Sequence, residues 1–298
     1  MANPIFSGLY TAIVTPFDDQ KKIDEEAYVN HLSFQEEGGV DGIVISGTTG
    51  ESPSLTDDEY QYLLETAVEK TGDDCSIIAG SGTNNTQKAI DKSQMSEDLG
   101  ADGLLVVAPY YNKPEQRGLI KHYAHIADEV SIPIIIYNVP GRTGVNVSAQ
   151  TVAELSAHSN IVGVKEASGD LEQAADIINQ TPDDFAVLSG EDAITLQMMA
   201  SGGGGAVSVA SNIVPDRMKE FVDYALNNEM ISARKLHYEL LPLMNAGFWE
   251  TNPIPVKAAL SIMGRMKNQL RLPLEPLSIE NEERLLELLE DYSLVDKG

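Results

Sequence analysis

The sequence predicts an α/β fold, a (β/α)8 TIM barrel followed by a C-terminal helical appendage. Short, β-branched apolar runs recur along the first three-quarters of the chain, and a helical pattern follows each of them. Such near-continuous runs are typical of parallel strands covered on both faces, and eight strand–helix units indicate a closed barrel. A doubly wound open sheet is the alternative, but Val14–Asp18 (VTPFD) lacks the G-x-G-x-x-G turn that usually follows its first strand.

The predicted strands and helices alternate up to Leu226. The strands lie in the apolar runs Gly8–Val14, Gly42–Ser46, Ser76–Gly80, Gly103–Pro109, Ile132–Asn138, Ile161–Ser168, Ala186–Gly190 and Gly205–Ser211. The helices are predicted over Glu25–Glu37, Asp57–Lys70, Gln87–Leu99, Glu115–Val130, Ser148–Ala157, Leu171–Asn179, Ala193–Ala200 and Pro215–Leu226. Beyond this point only helical patterns separated by prolines remain. We therefore expect a catalytic barrel over residues 1–228 and a three-helix region over residues 229–298.

The composition excludes several classes of protein. Apolar residues make up 42% of the 298, enough for a large core, and no run of eighteen apolar residues predicts a membrane span. Met1–Thr15 lacks the pattern of a secretory signal, and a single cysteine, Cys75, fits a reducing compartment. We therefore expect a cytoplasmic protein.

The net charge of −26 disfavours binding of nucleic acid or of anionic membranes, because both would be repelled. We interpret the acidic surface as an adaptation to a salty cytoplasm, where screening reduces the self-repulsion. A surface that merely keeps the protein in solution is the alternative.

Candidate functional residues follow the predicted strands, because the βα loops of a barrel carry its active site. The second strand ends in Gly47–Ser52 (GTTGES). Its glycines permit a sharp turn, and the hydroxyls of Thr48 and Thr49 with nearby N–H groups can bind a small carboxylate. A turn with capping hydroxyls is the alternative.

The loops after the fourth and fifth strands add two tyrosines, a further phenol and a guanidinium. Tyr110 and Tyr111 are adjacent in a loop, where tyrosines are more often packing or interface residues than catalysts. Tyr137 ends the fifth strand, and Arg142 follows it closely. The guanidinium can bind a carboxylate through two parallel hydrogen bonds. In so acidic a chain, a surface ion pair is the alternative.

Lys165 is the decisive residue, because it lies inside the sixth apolar run. A strand buried on both faces offers no favourable place for an ammonium group. The neighbouring Glu166 cannot easily pair with it, because successive side chains of a strand point to opposite faces. If Lys165 points into the barrel, it reaches the site from below, where a Schiff-base lysine would stand.

Five segments of the chain form a recognisable set: GTTGES (Gly47–Ser52), PYYNKP (Pro109–Pro114), YNVPGRTG (Tyr137–Gly144), GVKEASGD (Gly163–Asp170) and NPIPVK (Asn252–Lys257). Together they resemble the dihydrodipicolinate synthase family. The resemblance runs in order from Ile5 to the C-terminus. The superfamily also contains N-acetylneuraminate lyase and related pyruvate aldolases. The lysine and tyrosine motifs are shared across it, whereas the arginine of PGRTG is more specific.

The resemblance implies a lyase that condenses pyruvate with aspartate 4-semialdehyde through a Schiff base, without a metal or organic cofactor, on the diaminopimelate route to lysine. It implies catalytic roles for Lys165, Tyr137, Thr48 and Tyr111. It implies substrate-binding roles for Thr49, Arg142, Gly190 and Val207. It also implies a homotetramer, a dimer of dimers, in which Tyr111 reaches the site of a neighbouring subunit.

The chain departs from those family members that lysine inhibits. Their interface residues include histidines and a glutamate, and three positions here fit that set: Ser52, Asn84 and Tyr110. Asp57 and Tyr60 occupy the histidine positions, and Lys88 occupies the position of the glutamate. Because Lys88 would repel a second ammonium group, feedback inhibition by lysine is not expected.

Three other functions remain as alternatives. Another class I aldolase of the superfamily would act on a 2-keto-3-deoxy sugar acid or on N-acetylneuraminate, and Arg142 argues against it. A metal-dependent aldolase would need clustered ligands, but His122 and His125 lie on a helix outside the barrel and are expected at the surface. A non-catalytic binding barrel would not require a buried lysine such as Lys165.

Overall fold

The computed structural model describes residues 4–296, and these form a closed barrel of eight parallel strands. The strands are β1 (Gly8–Ala12), β2 (Gly42–Ile45), β3 (Ser76–Gly80), β4 (Gly103–Val107), β5 (Ile134–Asn138), β6 (Ile161–Glu166), β7 (Ala186–Ser189) and β8 (Gly205–Ser208). Each strand pairs with its neighbours in sequence, and β8 closes the barrel on β1. The predicted (β/α)8 barrel is confirmed.

Helices connect the strands on the outside of the barrel. They are α1 (Glu25–Glu37), α2 (Asp57–Lys70), α3 (Thr86–Asp98), α4 (Gln116–Asp128), α5 (Pro140–Thr143), α6 (Ala149–Leu155), α7 (Leu171–Gln180), α8 (Thr195–Ala200) and α9 (Pro215–Leu226). The single turn α5 was not predicted; it begins at a proline, which favours the first position of a helix. The helix predicted over Ala193–Ala200 is divided into a 3-10 turn, Asp192–Ile194, and α8.

The strand side chains form two buried layers, because successive residues point to opposite faces. The outer layer fills the space between strands and helices and includes Val164 of β6. The inner layer fills the barrel and includes Tyr137, Leu188 and Val207. Lys165 follows Val164 in β6, and it is therefore directed into the barrel.

Three further helices follow the barrel: α10 (Met230–Ala246), α11 (Ile254–Ile262) and α12 (Ile279–Asp291). Helix α10 packs against α9, and α11 contacts the 3-10 turn Ala210–Asn212, which follows β8. The C-terminal helices therefore reach the carboxyl ends of the strands. The division into two domains at residue 228 stays a prediction.

Cys75, the single cysteine, lies directly before β3 and is 6% exposed. Burial, followed by the charges of Glu36, Asp41 and Asp102, raises the pKa of its thiol to about 12. Only a minute fraction of the thiol is ionised at neutral pH, and the residue acts as a small apolar side chain. Across residues 4–296, no helix combines the length and apolarity needed to cross a membrane.

Candidate active site

Lys165 occupies the centre of the candidate site. In β6 it is in register with Tyr137 of β5 and with Leu188 of β7, and its side chain is buried. Its Nζ atom lies 4.3 Å from the centroid of the Tyr137 ring, an arrangement in which the ring face attracts a cation. Within residues 4–296 no carboxylate lies within ion-pair distance of this ammonium group.

Glu166 points away from Lys165, as the alternation of strand side chains predicts. Its carboxylate accepts hydrogen bonds from Asn138 Nδ2 at 2.9 Å and from Gln173 Nε2 at 3.2 Å. It also accepts one from the backbone N–H of Ser168 at 2.7 Å. Glu166 is thus satisfied on the helix side of the sheet, and Lys165 remains available inside the barrel.

Gly190, directly after β7, makes room for the lysine side chain. A Cβ atom at this position would lie 3.0 Å from Lys165 Cε and 2.6 Å from Ala167 Cβ. Any side chain larger than hydrogen would therefore displace the lysine. Val207 is also buried in the inner layer, 1% exposed, in the same apolar cluster as Tyr137.

The Gly47–Ser52 loop follows β2 and brings Thr48 to a cavity, whereas Thr49 is 2% exposed. The expectation that glycines make its sharp turns was wrong. The left-handed residues are Ser46 (φ 54°) and Glu51 (φ 53°), which flank the glycines. Gly50 is required by packing instead, because a Cβ atom there would lie 3.2 Å from the Ile13 carbonyl oxygen.

A cavity of about 720 Å³ opens at this end of the barrel. Three of the predicted site residues line it: Thr48, Tyr137 and Arg142. Its outer part is lined by Asp57, Lys88, Asp91, Lys92 and Tyr110, among others. Burial lowers the pKa of Lys92 to about 8. The cavity therefore extends from Tyr137, the neighbour of Lys165, to an outer wall that carries Lys88 and Lys92.

Tyr60, one of the two residues at the expected histidine positions, is buried between α2 and α3. Its hydroxyl pairs with Ser96 Oγ at 2.6 Å, and Lys92 Nζ lies 4.0 Å from the centroid of its ring. Tyr60 is 2% exposed, so its hydroxyl is bonded inside the protein and does not face the cavity. Asp57 and Lys88, in contrast, face the cavity.

Arg142 lies in α5 at the edge of the cavity, where its side chain is exposed. Its guanidinium donates a hydrogen bond from Nη2 to the main-chain carbonyl of Asn252 at 3.2 Å. In the part of the chain described here it makes no ion pair, although the protein is strongly acidic. The surface ion pair considered as the alternative is therefore not formed, and the guanidinium is available to an anionic ligand.

Tyr111 is the predicted site residue that the fold does not bring to Lys165. It lies in the loop after β4 with φ 73° and is 90% exposed. The neighbouring Tyr110 turns to the cavity. A fully exposed phenol in a left-handed conformation is available only to something outside this chain.

Sequence reasoning missed Asp192, which lies just after β7. Its buried carboxylate accepts hydrogen bonds from the backbone N–H groups of Val209 (3.0 Å) and Ala210 (2.8 Å). Burial raises the pKa of this carboxyl, and the nearby charge of Lys165 opposes that shift. Its position directly after a barrel strand was the signal that would have identified it.

The expectation that His122 lies at the surface was wrong. It lies in α4 and its side chain is buried, and its Nδ1 pairs with Thr86 Oγ1 at 3.0 Å. Burial lowers the pKa of the ring to about 4. His125 is exposed, as expected. Neither residue points to a metal centre, and no three His, Cys, Asp or Glu side chains in residues 4–296 are grouped as metal ligands.

The fold and the site define a (β/α)8 barrel with a lysine-centred candidate active site at the carboxyl ends of its strands. The chain belongs to the dihydrodipicolinate synthetase family, whose model matches residues 5–292. The family predicted from the sequence motifs is thereby confirmed.

Individual relatives match over almost the whole chain. The 4-hydroxy-tetrahydrodipicolinate synthase of Citrifermentans bemidjiense is 47% identical over 98% of this chain and 100% of its own length. The chloride-inhibited dihydrodipicolinate synthase of Acinetobacter baumannii, solved with pyruvate, is 39% identical with a TM-score of 0.95, covering 97% of this chain and 99% of its own. The enzyme of Cyanidioschyzon merolae, solved with lysine bound, is 38% identical with a TM-score of 0.95, covering 98% and 100%.

Proposed function

We propose that this chain is a lyase that condenses pyruvate with L-aspartate 4-semialdehyde to give 4-hydroxy-tetrahydrodipicolinate, on the diaminopimelate route to lysine. Curated relatives that match its full length carry the name of this activity. The observation that carries the chemistry is the buried Lys165, inside the barrel against the Tyr137 ring and with no carboxylate of residues 4–296 within ion-pair distance.

The proposed reaction starts at Lys165. Its neutral amine attacks C2 of pyruvate, and loss of water leaves an imine. Loss of a proton from the methyl group gives an enamine, whose carbon attacks the aldehyde of the second substrate. The amino group of that substrate then closes on the former C2 carbon, which releases the lysine and the heterocycle. Because the imine itself accepts the electrons, the proposal includes no metal or organic cofactor.

The proton transfers require hydroxyl groups close to the lysine. Tyr137 contacts Lys165 directly, and Thr48 lines the same cavity. We assign the third hydroxyl of the relay to Tyr111 of a neighbouring subunit, because in its own chain this side chain is 90% exposed. Hydrogen-bonded phenols pass protons along the relay. The assignment requires a neighbouring copy of the chain, and we further propose a homotetramer, a dimer of dimers, located in the cytoplasm.

Two groups are assigned to the substrate carboxylates. Thr49 and the Thr48 backbone would bind the carboxylate of pyruvate above Lys165, with Gly190 and Val207 shaping the space around it. Arg142 would bind the carboxylate of aspartate semialdehyde through a charge-assisted, bidentate contact. This second assignment favours aspartate semialdehyde over a sugar aldehyde, which carries no carboxylate at that place.

Borohydride reduction tests the Schiff base. With pyruvate present, borohydride is expected to inactivate the protein and to leave one reduced pyruvate on Lys165. Peptide mapping by mass spectrometry locates the label, and borohydride without pyruvate is the control. A label on another lysine, or no label, contradicts the proposed mechanism.

L-lysine is expected not to inhibit at millimolar concentration. The outer wall of the cavity carries Lys88 and Lys92 beside Asp57 and Asp91, so these four side chains together offer no net negative charge to a cation. Lys88 stands where lysine-inhibited family members carry a glutamate, so an ammonium group of an entering lysine meets a like charge at that position. Initial rates across a lysine series measure this, with the lysine salt replaced by potassium chloride as the control. Strong inhibition would show that the site accepts lysine in spite of this charge.

A further inference from the structure

The segment NPIPVK (Asn252–Lys257) lies far along the chain from the barrel loops, yet it contacts two of the groups assigned to substrate. The side-chain amide of Asn252 donates a hydrogen bond from Nδ2 to Thr49 Oγ1 at 2.9 Å. Its main-chain carbonyl accepts the hydrogen bond from Arg142 at 3.2 Å. One residue of the C-terminal region thus joins both proposed carboxylate-binding side chains.

The hydrogen bond to Thr49 decides where the threonine proton points. A hydroxyl group has one proton to donate and two lone pairs that accept. Because the amide of Asn252 donates, it occupies a lone pair and leaves the proton unused. Among the described residues the Thr49 hydroxyl donates to no protein acceptor, so no group of the protein takes up its proton.

The burial of Asn252 argues against a purely structural role. The residue is 4% exposed, and its Oδ1 atom is buried without a partner among the described residues. An unsatisfied buried amide oxygen destabilises the folded state, because it loses its hydrogen bonds to water and gains none. A residue selected only for packing would have both ends of its amide paired, or would be apolar.

We propose that Asn252 is a positioning residue, which directs the Thr49 hydroxyl toward bound pyruvate through its side chain and fixes Arg142 through its main chain. The inference rests on the proposed function, because it assigns pyruvate to Thr49. It predicts that the side chain of Asn252 affects binding of pyruvate, whereas its main chain affects binding of the semialdehyde. Substitution of the side chain should weaken binding of pyruvate and leave binding of the semialdehyde intact, because every variant keeps the main-chain carbonyl.

Two variants test the side chain. Asn252→Ala removes one hydrogen bond and should raise the KM for pyruvate roughly 3- to 10-fold. Asn252→Asp has the same shape, but its carboxylate only accepts hydrogen bonds. The Thr49 hydroxyl would then donate to this carboxylate instead of to pyruvate, and a negative charge would lie near an anionic substrate. Its KM for pyruvate should rise by more than about tenfold. Asn252→Ala should change the KM for aspartate semialdehyde by less than about twofold, and Asn252→Asp should raise it less than it raises the KM for pyruvate.

The pyruvate concentration that gives half-maximal borohydride trapping should shift in parallel with KM, which separates binding from turnover. Thr49→Val and the double variant Asn252→Ala/Thr49→Val complete the cycle, and the double variant should bind pyruvate no more weakly than Thr49→Val alone. Asn268→Asp, the same change elsewhere in the C-terminal region, is the control and should leave both KM values unchanged.

The outcomes separate the two proposals. If Thr49→Val does not affect the KM for pyruvate, the assignment of its hydroxyl to the carboxylate fails, and the positioning role fails with it. If Thr49→Val raises this KM but neither Asn252 variant does, only the positioning role is overturned. Equal increases in the KM values of both substrates would also overturn it, because they indicate a general structural defect. If Asn252→Ala does not fold, the KM values of the isosteric variant Asn252→Asp distinguish between these outcomes.

Discussion

Arg142→Ala is expected to leave the pyruvate adduct on Lys165 intact and to reduce kcat/KM for aspartate semialdehyde by roughly 10- to 150-fold. A hydrogen bond to a charged group contributes about 1.5–3 kcal/mol, and each 1.36 kcal/mol corresponds to about tenfold. The guanidinium lies at the cavity edge and its only hydrogen bond within residues 4–296 is to Asn252. Its removal therefore leaves no buried partner unsatisfied apart from one carbonyl, and folding should be preserved.

Steady-state kinetics and borohydride trapping on the same sample measure the two effects separately. Arg142→Lys keeps the charge but loses the planar fork, and it should recover only part of the rate. Arg117→Ala is the matched control, because it removes an exposed arginine of α4 outside the cavity lining. Unchanged turnover of aspartate semialdehyde by Arg142→Ala would contradict the role of the guanidinium and favour a sugar-acid aldolase.

The second large effect concerns stability. Lys257→Met is expected to lower the free energy of unfolding by about 3–5 kcal/mol, because it leaves a buried carboxylate without its partner. Lys257 is 0% exposed, and its Nζ atom donates to Glu51 Oε1 at 2.6 Å and to the Thr15 carbonyl at 2.8 Å. Burial lowers the pKa of this lysine to about 8, and the charge of Glu51 opposes the shift.

Chemical denaturation followed by circular dichroism measures this loss. The double variant Glu51→Gln/Lys257→Met removes both charges and should recover much of the stability, since the cost arises from the unpaired ion. Lys267→Met breaks an ion pair with Asp19 in which both side chains are about half exposed, and it should lower the free energy of unfolding far less than Lys257→Met does. A loss of similar size in the Lys257 and Lys267 variants would show that burial of the Lys257–Glu51 pair is unimportant.

The local pattern was sufficient to predict the barrel and its central residue. Each strand is a short β-branched run, and the barrel followed from the regular alternation with helices. Lys165 was identifiable because a charged residue inside such a run contradicts its surroundings, and the structure places it inside the barrel. These features depend on residues that are close together in sequence.

The contacts that support the site were not predictable in the same way. The bond from Asn252 to Thr49 joins residues 203 positions apart, and that from Lys257 to Glu51 joins residues 206 apart. No periodic pattern encodes such a pairing, because it depends on how the C-terminal helices pack on the barrel. His122 was misjudged for a related reason, since its burial follows from the packing of α4 on α3, where its ring pairs with Thr86.

The buried thiol of Cys75 has a consequence for how this protein can be observed. Thiol reagents attack the thiolate, and here burial suppresses both ionisation and access. Oxidants that act on thiols therefore do not reach Cys75 in the folded chain, and activity should not depend on the redox state of this side chain. Modification of the Cys75 thiol therefore occurs only when the segment at the start of β3 unfolds locally. The rate of modification of Cys75 thus measures how often this part of the protein unfolds locally, and no engineered label is needed.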